Sequence, residues 1–112
     1  MTKYLFLYRG PQAQGDYQPS PEEMQAMFAQ WDAWKAKFKS NVVDVGDGLK
    51  PGGRVWKGGA VTDGPFVEAK EIMGGFSIIQ AESYEDAARV AAECPITYMP
   101  SASIEIREMA GF

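Results

Sequence analysis

KYLFLYR, Lys3 to Arg9, sets Tyr4, Phe6 and Tyr8 on one side of an extended chain and Leu5 and Leu7 on the other. In a strand alternate residues face opposite ways, so apolar side chains on both sides predict a strand whose two faces are both covered. The segment after it, Gly10 to Pro19, is rich in turn residues and has no periodicity, which reads as a loop. Its length permits a lid over a site or a plain link.

Ser20, Pro21 and Glu23 form a helix start: an N-cap, a proline in the first turn and a glutamate closing a capping box. Met24, Met27, Phe28, Trp31, Trp34 and Phe38 follow at spacings of three and four, a stripe about 120° wide that predicts one buried helix face. Glu22 and Glu23 at the start and Lys35, Lys37 and Lys39 at the end suit the helix dipole, so a helix is expected over 21–39. Core packing explains Trp31 and Trp34 better than a cofactor platform does.

A short strand is expected around Val42 to Val45, running into a glycine-rich bend. GRVWK and AVT flank Gly58-Gly59, the two-residue spacing of a tight hairpin. Gly75 to Ala81 reads as another strand. Ser83 and Asp86 open a second helix with an expected buried stripe of Tyr84, Ala87, Ala88, Ala91 and Cys94, ended by Pro95. Ser101 to Met109 alternates Ile104 and Ile106 with Glu105 and Arg107, a half-exposed last strand. Two strand–helix–strand halves in one domain spanning 1–112 predict a ferredoxin-like α+β sandwich with an antiparallel sheet and both helices on one face. The other sheet face needs a cover, and a second copy docked sheet to sheet, forming an α+β barrel, is the expected homodimer.

Composition narrows function mainly by exclusion. The chain has 112 residues, 46% of them hydrophobic, and a net charge of −4. That balance argues against nucleic-acid and anionic-membrane partners. There is no histidine and one cysteine, Cys94, so zinc sites of nitrogen and sulfur ligands, Ser-His-Asp catalysis, Cys-His catalysis and an internal disulfide are excluded. Without a signal-peptide pattern or a long apolar run, a cytoplasmic location is the expectation. The glycines do not form a nucleotide site. Gly46-Asp47-Gly48 would need a third glycine where Pro51 stands, and Gly58 of a P-loop spacing is followed by Gly59-Ala60 where Lys-Ser/Thr is required. No cofactor motif is present.

VTDGPFVEAKEIMGGF, Val61 to Phe76, carries the remaining chemistry. Asp63 reads as a turn residue before Gly64 and Pro65, or as a carboxylate at the mouth of a cavity acting as general base. Glu68 and Lys70 read as solvated charges or as partners of Asp63 around one polar ligand, with Glu68 the alternative to Asp63 as general base. Arg54 and Arg9 are the residues best suited to hold a carboxylate or phosphate, because guanidinium makes bidentate contacts. Trp56, and Tyr4, Phe6 and Tyr8 of the first strand, are expected to line a cavity between subunits. Cys94 lacks positive neighbours in sequence and reads as inert.

In this same stretch the chain resembles the YCII-related family, in its DGPF-containing branch, whose pattern is close to V-T-D-G-P-F-A-E-T-K-E-x-x-G-G-F. Asp63, Gly64, Pro65, Phe66, Glu68, Lys70, Glu71, Gly74, Gly75 and Phe76 match; Val67 and Ala69 depart from the usual Ala and Thr. KYLFLY, GDGLKP and SIEIRE are also similar to the family. The resemblance implies a dimeric α+β barrel. Some relatives use a His-Asp pair as acid and base in small-molecule lyase or dehalogenase chemistry, and only the aspartate carries over here, onto Asp63. The functions that follow are a small-ligand-binding barrel, with cofactor-independent lyase or isomerase chemistry, or a non-catalytic accessory protein of the kind associated with sigma factors.

Overall fold

In the computed structural model the described residues are 1–11, 20–50, 52–63, 71–99 and 101–112, with Pro11, Asp63, Glu71 and Ile72 described by their backbone. The chain runs β1 (Thr2–Pro11), α1 (Pro21–Lys37), β2 (Val42–Gly48), β3 (Arg54–Lys57), β4 (Ala60–Asp63), β5 (Glu71–Ala81), α2 (Tyr84–Ala92) and β6 (Ser103–Glu108), with a 3-10 turn at Pro95–Tyr98 before β6. Four strands form an antiparallel sheet in the order β2-β5-β1-β6, and among the described residues β3 and β4 pair only with each other. Without the inserted hairpin this is the ferredoxin-like order, an α+β fold.

Both helices lie on the face that carries Tyr4, Phe6 and Tyr8. These three are buried together with Ile79, Ala81, Trp34, Phe38, Ala87, Val90, Ala91 and Cys94. The first strand is longer than the apolar run suggests: Gly10 and Pro11 continue the ladder, opposite Ile72 and Glu71. Residues 12–19, most of the loop whose length permits a lid, lie outside the described residues.

The caps form as their residues dictate. Ser20 Oγ accepts from the Glu23 amide at 3.1 Å while the Ser20 amide donates to Glu23 Oε1 at 3.2 Å. Ser83 Oγ accepts from the Asp86 amide at 3.1 Å.

Two expectations about the helices are corrected. On α1, Trp34 and Phe38 are buried and Trp31 is partly so, but Met24, Met27 and Phe28 are exposed, Phe28 by 60%. A 17-residue helix is about 25 Å long. Only its C-terminal half sits over the core, where Trp31 meets the Tyr8 ring edge-on at 5.6 Å and Trp34 Nε1 donates to Val90 O at 3.0 Å. The N-terminal half overhangs. On α2 the buried stripe is Ala87, Val90, Ala91 and Cys94, whereas Tyr84 and Ala88 are exposed. Tyr84 instead packs edge-on against Tyr4, and its hydroxyl accepts from the Glu108 amide at 3.0 Å.

Candidate functional site

Alternation along β1 sends Leu5, Leu7 and Arg9 to the sheet face away from the helices. Leu5 pairs with Ile78 and Leu7 with Phe76 on β5; on the other side they pair with Arg107 and Glu105 of β6. All four apolar side chains are half-buried. Both helices pack on the opposite face, with Tyr4, Phe6 and Tyr8, and among the described residues β3 and β4 do not pair with this sheet. Arg9 closes the row. Its Nη1 lies 3.2 Å from Glu105 Oε1, and Arg107 Nη1 donates to Glu105 Oε2 at 3.2 Å. Arg9 Nε is enclosed and has no hydrogen-bond acceptor among the described residues.

The second group of sequence-predicted residues sits on the β3-β4 hairpin. Gly58 and Gly59 both take positive φ, 58° and 84°, as a type I′ turn requires. The register that turn sets places Arg54 opposite Asp63 and Trp56 opposite Val61. Arg54 Nη1 also donates to Gly53 O at 2.7 Å. Trp56 and Val61 are exposed by 70% and 62%. The hairpin therefore brings together an arginine and the aspartate of the central motif and carries an exposed apolar pair. The Asp63 side chain, Glu68 and Lys70 lie outside the described residues.

Tyr8 lies apart from both groups. Its side chain is beneath α1, 5% exposed, and its hydroxyl belongs to a buried chain of hydrogen bonds. Cys94 Sγ donates to Tyr8 Oη at 3.6 Å, Tyr8 donates to Ser77 Oγ at 2.6 Å, and Ser77 donates to Val45 O at 2.6 Å. Burial, reinforced by Cys94, pushes the Tyr8 phenol well above its ordinary range, and burial raises the Cys94 thiol as well. Both groups stay protonated near neutrality, which makes this chain a fastening rather than a source of nucleophiles. Tyr4 and Phe6 face the helices too, so none of the three aromatic residues of β1 lines the open face. Ser77 was not singled out from the sequence. The signal was available: it shares strand parity with Ile79 and Ala81, a polar residue on an inward-facing row.

A cleft of about 180 Å³ opens between α1 and the 3-10 turn, lined by Trp34, Phe38, Tyr98 and the Lys37–Glu93 ion pair among others. It is smaller than the several hundred Å³ usual for ligand pockets. Among the described residues no group of three acidic, cysteine or histidine side chains is placed to hold a metal ion. No helix among them is long and apolar enough to cross a membrane. A search of curated proteins found no match to the chain. The model of the YCII-related domain matches residues 2–110, nearly the full sequence, and the protein belongs to the YCII-related family.

Proposed function

We propose that this protein binds a small organic ligand against the open face of its four-stranded sheet, and that a second copy docked over that face completes the cleft. One observation carries the reading: Leu5, Leu7, Phe76 and Ile78 form a contiguous apolar row, only half-buried, on the sheet face opposite both helices. A stable soluble domain rarely leaves such a row to water. The shape of the chain supports the same conclusion. Its radius of gyration is 15.4 Å, against about 13 Å for a compact domain of this length. A two-stranded hairpin such as β3-β4 is only marginally stable alone, and a second subunit supplies the surface that Trp56 and Val61 lack.

Asp63 serves this site as its proton-transfer group, with Arg54, its register partner, orienting an anionic part of the ligand. Glu68 and Lys70 belong to the same motif and supply further polar contacts. Lyase or isomerase chemistry fits such a set, since it requires proton transfer without a redox cofactor.

Light scattering behind a sizing column tests the arrangement. The expected mass is twice the 12.3 kDa of one chain. A monomer at micromolar concentration would remove the cleft and the proposal with it. Asp63→Asn separates catalysis from binding: lost turnover with retained ligand affinity assigns the aspartate to the reaction. No turnover of any ligand by the wild type leaves a binding or accessory protein.

A further inference from the structure

Arg9, Glu105 and Arg107 occupy one strip of the open face, and their charges do not balance. Register fixes the strip: Glu105 stands opposite Leu7 and Arg107 opposite Leu5, while Arg9 follows Leu7 on the same side of β1. Glu105 gives one oxygen to each arginine, at 3.2 Å in both cases. One carboxylate therefore serves two guanidinium groups, and the cluster carries a net charge of +1.

Arg9 is the less satisfied of the two. Arginine has five N–H donors. Glu105 engages Nη1, and the enclosed Nε has no acceptor among the described residues. Nη2, whose donors no described residue takes up, is the group left to meet a carboxylate from the open face. The side chain is 41% exposed, so the guanidinium is neither sealed in nor freely hydrated. In such a setting a charge-assisted bond is worth more than one in open water. Beside it run Leu7, Phe76, Leu5 and Ile78, with Met73, the register partner of Arg9, 41% exposed at the end of the row.

We infer that Arg9, Glu105 and Arg107 form the head-group site for a monocarboxylate whose apolar body lies along Leu7 and Phe76. The inference rests on the sheet-face reading above, adds the class of ligand to it and moves the ligand's anionic group from Arg54 to Arg9. Glu105 sets the charge. Its carboxylate neutralises one arginine and repels a second negative charge, so a dianionic phosphate is disfavoured relative to a monoanion. A neutral amide of the same shape lacks the charge that matches the surplus guanidinium.

Calorimetric titration of the full chain at pH 7.5 with three probes that share one apolar body tests this: 4-phenylbutyrate, 4-phenylbutanamide and 3-phenylpropyl phosphate. The acid is expected to bind about tenfold or more tighter than the other two, the scale of a hydrogen bond to a charged group. Arg9→Gln should bring the acid down to the amide. Glu105→Gln should shift the preference about tenfold towards the phosphate. Methyl NMR of Leu5, Leu7 and Ile78 locates the probe. Equal affinity for acid and amide, with those methyls shifting, overturns the carboxylate site and leaves the sheet-face reading intact. A charge preference that survives Arg9→Gln and disappears in Arg54→Gln moves the anion to the hairpin and overturns it too. No binding by any probe, with the methyls unmoved, overturns both.

Discussion

Ser77 shows how one hydroxyl serves two others. It accepts from Tyr8 and donates to the Val45 carbonyl, so Ser77→Ala strands a buried phenol and a partly buried carbonyl together. The expected cost is about 1–3 kcal/mol, and Tyr8→Phe, which leaves the Ser77–Val45 bond in place, should cost less. Urea denaturation of the two variants gives the order; the reverse order would mean that water already satisfies the Tyr8 hydroxyl. Gly46 is constrained by space rather than by hydrogen bonding. Its φ is +77°, and a Cβ there would lie 1.8 Å from the Phe76 carbonyl oxygen, which is backbone and has little room to yield. Gly46→Ala is expected to cost more than about 3 kcal/mol, visible as loss of the cooperative melting transition. In sequence, Gly46 is one glycine of a rich bend. Only the pairing of β2 with β5 singles it out.

Among the elements, α1 separates what periodicity tells from what it does not. The stripe from Met24 to Phe38 marks which side of the helix turns inward, and Trp34 and Phe38 lie on it, buried. How far the core extends beneath a helix depends on the sheet, which the helix sequence does not encode. Trp34→Ala should cost about 3–5 kcal/mol, whereas Phe28→Ser should fall within about 0.5 kcal/mol. Thermal melts at low protein concentration compare them. A large loss at Phe28 would mean that a second copy, not this chain, buries the N-terminal half of the stripe. In α2 the spacing from Ala87 to Cys94 was legible. The choice between Ala88 and Val90 was not, because it depends on the angle at which the helix meets β5 and β6.

At the scale of the whole molecule, pH response follows from the few groups whose protons the fold holds differently. Tyr8 and Cys94 titrate higher in the folded chain than their ordinary values of 10.0 and 9.0. Above those values the unfolded chain gives up protons that the folded one keeps, so stability falls as pH rises. Asp86 works in the opposite sense. The Glu82 amide and Arg89 hold its carboxyl below the ordinary 3.8, and its contribution is present above that value and lost as pH falls through the folded one. Stability measured by urea titration should therefore be level from about pH 5 to pH 8.5 and decline on both sides. In the doubly substituted Tyr8→Phe, Cys94→Ala chain the alkaline decline should be shallower. An unchanged alkaline slope would show that the two groups are as hydrated in the folded chain as in the unfolded one.

The sequence by itself determined what depends on near neighbours in the chain. The alternation of Lys3 to Arg9, the Ser20 and Ser83 caps and the Gly58-Gly59 turn each act within a few residues, and together they specify the element order and the α+β class. The tertiary structure decided what depends on register between distant strands. Pairing of β1 with β6 is what joins Arg9 to Glu105 across 96 positions of sequence, and pairing of β3 with β4 is what sets Arg54 opposite Asp63. The same folding turned Tyr8 away from the open face and into the core. In a strand the face a residue occupies is fixed by parity, but which face the helices cover is fixed only when the whole chain packs.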